Sequence, residues 1–238
     1  MDDSSTYDEL ERLLVAGEDA LEARDYLAVR DVIADMRQVT AQEPAQAPYL
    51  EGLLEWQLAG PEAAHERLLE AVAIDPNDAD IRHALALACE ALGDGEGMRR
   101  HFMQTRILDA RADREAGIGS ERELDFIEQT AADTLERLPE AFRSRLHNVT
   151  ITLEPRPSMR LVSEGFDPRA YGVFDAPVLI DDALPEAAPS RIVLFTANLL
   201  TATRDGEALA RQVEITMLHE IAHYFGFEEA DMARLGLQ

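Results

Sequence analysis

The chain has 238 residues and a net charge of −25, and all of its basic residues are arginine. This acidity argues against nucleic-acid binding, which needs basic groups to replace the counterions of phosphates, and against an anionic membrane surface. The lack of lysine excludes Schiff-base chemistry and a P-loop. No apolar run approaches the roughly 20 residues that span a bilayer. No signal peptide is recognisable and the single cysteine allows no internal disulfide, so we expect a cytoplasmic protein.

Residues 6–110 predict short helices arranged in a loose repeat. Leu58-Ala59-Gly60 recurs as Ala91-Leu92-Gly93, 33 residues later, and Glu43-Pro44 recurs as Asp75-Pro76, 32 residues later. A helix–turn–helix unit with a period near 34 resembles the tetratricopeptide repeat. About three such units fit, at roughly 6–43, 46–76 and 78–109.

Stacked helical repeats present a concave surface to peptides or proteins, so we expect this domain to recruit a substrate or a protein partner. The alternative is a helical bundle that only braces the rest of the chain, because no binding site is visible in its sequence.

The remaining residues predict a small α+β domain at 120–238, after a boundary at 110–119. Ser120 and Glu123 form a capping-box pattern that starts a helix. Residues 148–154 alternate between apolar and polar and predict a strand, and 171–174 and 191–195 predict two further short strands. Residues 155–190 contain six prolines and are expected to be mainly loop.

The stretch 219–229 has the pattern H-E-x-x-H-x-x-G-x-x-E. Residues 211–225 contain no Gly or Pro and predict one helix around it. His219 and His223 are four residues apart, so they lie on one face of that helix and can hold one metal ion. Glu220 lies on the flank of this face, where it can reach a water molecule without binding the metal. Gly226 is placed to end the helix in the αL conformation and reverse the chain.

A catalytic zinc ion takes three protein ligands and keeps an open position. The downstream candidates for the third ligand are Glu228, Glu229 and Asp231, and His147 remains an upstream alternative. Cys89 lies in the other predicted domain and is expected to be a small buried apolar residue.

Residues from about 121 to 238 resemble the minimal bacterial zincin-like metallopeptidase family. The similarity covers the HExxH stretch from Thr216 to Gly226 and the segments 138–142, 148–149, 171–174 and 191–195. The resemblance implies one Zn²⁺ ion, held by His219, His223 and the residue three after Gly226, with Glu220 as the general base. The family usually has Asp at that third position, whereas this chain has Glu229. We favour Glu229 as the ligand and keep Asp231 in reserve.

The resemblance implies zinc-dependent hydrolysis of peptide bonds in a peptide or protein substrate. In zincins an edge strand beside the active-site helix pairs with the extended substrate, and 171–174 and 191–195 are both candidates for it. The alternative hypothesis is an interaction scaffold in which the repeats carry the function and the zinc site is structural or catalytically silent.

Overall fold

The computed structural model describes residues 3–146, 148–175 and 190–227. Within these ranges the chain forms eleven helices and three strands, which confirms the expected α+β class. The helices are α1 (Asp3–Glu22), α2 (Tyr26–Val39), α3 (Gln46–Leu58), α4 (Pro61–Ile74), α5 (Ala79–Ala91), α6 (Gly95–Ala116), α7 (Glu121–Arg137), α8 (Glu140–Arg143), α9 (Met159–Ser163), α10 (Thr196–Ala202) and α11 (Gly206–Tyr224). The strands are β1 (Val149–Glu154), β2 (Gly172–Asp175) and β3 (Ser190–Phe195). None of the helices in the described ranges combines the length and apolar character that a bilayer-spanning segment requires.

The described residues divide into two compact units. The helical unit contains the residues up to Asp109 together with Met159–Phe166. The mixed unit contains Ala110–Ser158 and the described residues from Asp167 onward.

The helical unit is built from consecutive helical hairpins. The pairs α1–α2, α3–α4 and α5–α6 correspond to the three predicted repeats, with α1 starting before and α6 ending after the predicted bounds, so the region is consistent with helical repeats. Asp25 and Asp78 cap α2 and α5 by accepting hydrogen bonds from main-chain N–H groups in their first turns. Two clusters of buried apolar residues form the core, and fully buried Val162 of α9 belongs to the cluster that contains Phe102. Cys89 lies in the same cluster and is buried, as expected.

One helix extends further than the sequence predicts. The segment 110–119 is expected as a boundary, but α6 continues to Ala116. Its last turns contain no Gly or Pro, and Arg111 and Glu115 form an i,i+4 ion pair that favours helix. The helix ends only where Gly117 follows.

The mixed unit has a three-stranded sheet of order β1-β3-β2. Strand β1 is parallel to β3, and β2 is antiparallel to β3. All three predicted strands are therefore present, displaced by at most one residue at an end. The inner strand β3 carries the most buried segment, residues 192–195, as its position between two neighbours requires.

Helices α7 and α11 pack together and bury their apolar stripes in one cluster with the sheet. This cluster contains Ile127 and Ala131 of α7 and Val213, Met217 and Ile221 of α11. The capping box at Ser120 is formed, since Glu123 Oε2 accepts a 2.8 Å hydrogen bond from the Ser120 N–H. The short helix α9 lies in the segment expected to be mainly loop, and the short helix α10 follows β3, where the sequence analysis predicts no element.

Candidate metal centre

The helix that carries the motif has well-defined ends. Asp205 caps its start by accepting a 2.8 Å hydrogen bond from the Ala208 N–H, so α11 begins five residues before the predicted helix. At its end Gly226 has φ +80°, the αL conformation predicted for it. The N–H groups of Gly226 and Phe227 bond to the carbonyls of His223 and Ala222, which is the Schellman pattern. The motif is therefore held in the last turns of a continuous helix.

The two histidines face each other across one turn of α11. Their Nε2 atoms are 3.1 Å apart, and their ring centroids are 4.7 Å apart. Two imidazoles that share a tetrahedral zinc at about 2.0–2.1 Å would have their nitrogens about 3.3 Å apart. This spacing is close to the observed one, so the two Nε2 atoms are two donors that could share one cation such as zinc.

Glu220 is buried, with 6 % of its surface exposed. Its Oε2 accepts a 2.7 Å hydrogen bond from the main-chain N–H of Phe174 in β2. The Phe195 N–H donates a hydrogen bond to the Tyr171 carbonyl. In the antiparallel ladder the main-chain N–H and C=O groups of residues 171, 173 and 175 therefore point towards β3. The N–H of Phe174 therefore faces away from β3. Among the described strands β2 lies at an edge, and Glu220 sits on that edge.

A glycine allows the strand to come this close to the helix. A Cβ atom on Gly172 would lie 2.8 Å from Thr216 Cγ2, 3.1 Å from the Val193 carbonyl oxygen and 3.4 Å from Glu220 Cγ. Any side chain at this position would force Thr216, β2 or α11 to shift. The contact between Phe174 and Glu220 thus depends on the absence of a side chain at residue 172.

A pocket of about 160 Å³ opens beside the motif. The start of β2 and the face of α11 that precedes His219 form its walls. The lining residues are Ala170, Tyr171, Gly172, Gln212, Ile215, Thr216, His219 and Glu220. The pocket has room for a small side chain next to the general-base candidate.

The structure thus brings together His219, Glu220 and His223, the three residues that the motif singles out. The candidates for the third ligand, Glu229, Asp231 and Glu228, lie outside the described residues, and so does His147. Across the described ranges, no set of three or more His, Cys, Asp or Glu side chains gathers as a metal-binding group. The assignment of the third ligand remains a sequence-based prediction.

Sequence reasoning missed a buried polar network behind the pocket. The guanidinium of Arg156 forms two hydrogen bonds to Asp113, at 2.5 and 2.9 Å, and a third to Asn198 Oδ1 at 2.6 Å. Asn198 Nδ2 donates to the carbonyls of Pro168 and Ala170, at 2.9 and 2.6 Å. The only sequence signals were an arginine between two prolines and an asparagine in an otherwise apolar run, and neither identifies its partners.

Comparison with known proteins gives one family. Residues 146–237, less than half of the chain, match the family model described as Zincin-like metallopeptidase. No curated protein matches the chain, and no repeat family is identified for the N-terminal helices. The matched residues contain the sheet, α11 and the histidine pair, and the family to which they are similar points to a hydrolase that binds zinc.

Proposed function

We propose that this protein is a zinc-dependent peptidase. His219 and His223 would hold one Zn²⁺ ion together with a carboxylate that follows Gly226, with Glu229 favoured and Asp231 as the alternative. The observation that carries the proposal is the histidine pair, whose Nε2 atoms are 3.1 Å apart, beside the buried carboxylate of Glu220. The match of residues 146–237 to a zincin-like family supports it.

Glu220 is the general base in this proposal. A zinc ion bound there would polarise the peptide carbonyl and lower the pKa of a water molecule towards about 7. Glu220 takes a proton from the water as the oxygen of that water forms a bond to the carbonyl carbon. It then gives that proton to the amide nitrogen as the C–N bond breaks. The products are a carboxylic acid and an amine, and Glu220 returns to its carboxylate form.

The edge of β2 that faces away from β3 is the proposed substrate-binding edge, and of the two candidate segments we favour 171–174. The main-chain groups of Gly172 and the carbonyl of Phe174 face away from β3, so an extended peptide can pair with them, while the Phe174 N–H bonds to Glu220. Glu220 lies on the same edge, and the pocket lined by Tyr171 and Thr216 would receive a small side chain of that peptide.

The helical unit is proposed to recruit the substrate or a protein partner. Its consecutive helical hairpins offer an extended surface for such contacts, and several of its large apolar side chains are more than a third exposed. They are Tyr7, Val15, Leu27, Trp56, Leu58, Leu69, Ile74 and Ile107.

Substitution of the general base tests the proposed chemistry. Glu220→Gln is expected to keep its zinc, measured by elemental analysis, and to lose cleavage of a proteome-derived peptide library read by mass spectrometry. Glu214→Gln is the matched control on the same helix, because Glu214 is half-exposed and pairs with Arg137. Cleavage retained in Glu220→Gln would remove Glu220 from this role.

The same samples separate the two classes of function. If the protein purified without chelators holds no divalent metal, the peptidase proposal is wrong. If it holds zinc but cleaves no library peptide, the scaffold alternative is favoured.

A further inference from the structure

We infer that Asn198 is a positioning residue that holds the substrate-binding edge of β2 in register with α11. The inference rests on the proposed function and extends it to a residue outside the HExxH motif. Asn198 lies in the first turn of α10, directly after β3, and only 3 % of its surface is exposed.

The side-chain amide of Asn198 uses all of its strong hydrogen-bonding groups. Its Oδ1 accepts from Arg156 at 2.6 Å, and its Nδ2 donates to the carbonyls of Pro168 and Ala170 at 2.9 and 2.6 Å. Only a group with one acceptor and two donors in this arrangement satisfies all three partners. An aspartate of the same shape would keep the bond to Arg156 and set its other oxygen against two carbonyl oxygens.

Arg156 fixes which way the amide points. Its side chain is 5 % exposed and pairs with Asp113 through two hydrogen bonds, so it can present only a donor to Asn198. The oxygen of the Asn198 amide therefore faces Arg156, and the nitrogen faces the carbonyls.

The two carbonyls belong to the segment that leads into β2. Ala170 and Tyr171 line the pocket, and Gly172 lies so near α11 that a Cβ atom on it would be 2.8 Å from Thr216 Cγ2. Two residues further on, the Phe174 N–H bonds to Glu220. Anchoring the carbonyl of Ala170 therefore fixes one end of the five-residue stretch 170–174, whose other end contacts the general-base candidate.

The test uses the full-length protein and three substitutions. Asn198→Asp removes the two donors at constant shape, and Asn198→Leu removes all three bonds. Thr201→Val is the control on the same helix, because the Thr201 hydroxyl bonds to the Ala197 carbonyl within α10. Circular dichroism and zinc content establish that each variant is folded and loaded.

The main measurement is amide hydrogen exchange in peptides that cover residues 168–175. In Asn198→Asp this segment is expected to exchange about tenfold faster or more, while the segments of α7 and β1 keep their wild-type rates. The control should match the wild type throughout. Unchanged exchange at 168–175 in both Asn198 variants, or equal acceleration everywhere, would overturn the inference.

Kinetics on a peptide that the wild-type protein cleaves provide the second measurement. The value of kcat/KM is expected to fall by up to about 100-fold at unchanged zinc content, which is the size of effect that a misplacement near 1 Å produces. Most of this loss should be a rise in KM, since the edge and the pocket bind the substrate. A loss of folded enzyme would instead lower kcat at constant KM, and that result would contradict a positioning role. If the wild type cleaves no peptide, the proposed function fails, and the exchange measurement still decides whether Asn198 holds the edge.

Discussion

The main-chain N–H of Phe174 donates a 2.7 Å hydrogen bond to Oε2 of Glu220, 46 residues further along the chain. This N–H belongs to the edge of β2, where it would otherwise pair with an incoming strand. The contact places the carboxylate of the proposed general base directly against the proposed peptide-binding edge. A peptide bound at this edge, as proposed, would therefore lie beside Glu220.

Gly172→Ala is expected to weaken the contact between β2 and α11. The new methyl group would lie 2.8 Å from Thr216 Cγ2 and 3.1 Å from the Val193 carbonyl oxygen, so the strand or the helix must move. Overpacking of this kind costs about 1–3 kcal/mol of stability. We expect a lower urea midpoint and a loss of peptide cleavage larger than the loss of folded protein.

The matched control for this substitution is Gly206→Ala at the start of α11. A Cβ atom on Gly206 would meet no atom within 4 Å, and alanine favours helix over glycine. The control should keep wild-type cleavage and equal or exceed wild-type stability. If Gly172→Ala behaves like the control, the close approach of β2 to α11 is not needed for stability or for peptide cleavage.

Removal of the Phe174 N–H should impair catalysis more than removal of its ring. Phe174→Pro and Phe174→Leu both lose the edge-to-face contact with Tyr224, whose ring centroid is 5.3 Å away. Only the proline lacks the N–H that Glu220 accepts. At equal zinc content, we expect kcat to fall by about tenfold or more in the proline variant relative to the leucine variant, in line with a lost hydrogen bond to a charged group. Equal kcat values in the two variants would show that the hydrogen bond is dispensable.

Metal content should distinguish the candidate ligands. His219→Ala and His223→Ala are expected to lose bound zinc, whereas His65→Gln in the helical unit should keep it. Glu229→Gln should lose zinc and Asp231→Asn should keep it if the carboxylate three residues after Gly226 is the third ligand.

A second readout is thermal stability, because a metal that binds only the folded state raises Tm. Added zinc should raise the Tm of the wild type and Asp231→Asn but not that of the ligand variants. The opposite pattern for Glu229 and Asp231 would assign Asp231 as the ligand.

His101 should make the helical unit sensitive to acid. Its burial, and to a smaller extent the positive charges of Arg82 and Arg100 and the nearby His65, lower its pKa from 6.5 to about 4, against a weak opposing effect of Asp94. The unfolded chain therefore binds a proton between pH 6.5 and 4 that the folded chain does not bind. The contribution of His101 therefore leaves the free energy of unfolding unchanged above the pKa of the unfolded chain, 6.5. Below that pH the free energy of unfolding decreases, by at most about 3 kcal/mol as the pH approaches 4.

Urea unfolding at several pH values tests this prediction. The fluorescence of Trp56, the only tryptophan of the chain, reports on the same unit. His101→Gln does not titrate, so its stability relative to the wild type should improve as the pH falls from 7 to 4.5. The carboxylates titrate in both proteins and cancel in the difference. A difference that does not change with pH would contradict a neutral buried His101.

Local sequence patterns predicted the elements well. The capping box at Ser120, the strand predicted from 148–154 and the αL glycine at 226 each depend on neighbours within a few residues, and each is present in the structure. The end of α6 was predicted less well, because charged residues in 110–116 suit a loop as well as a solvent-exposed helix. The proline-rich segment 155–190, predicted to be mainly loop, contains the short helix α9, which Val162 anchors in the apolar core of the helical unit.

The sequence by itself determined the placement of His219 and His223 on one helical face with Glu220 beside them, because the 3.6-residue period of a helix requires it. Only the tertiary structure decided that Glu220 lies on the edge of β2, that Gly172 allows this approach, and that Asn198 anchors the segment before it. These partners lie 28 to 48 residues apart in sequence. No local periodicity relates positions at such distances, and they meet only when the sheet packs against α11 and the buried polar groups must find hydrogen-bonding partners.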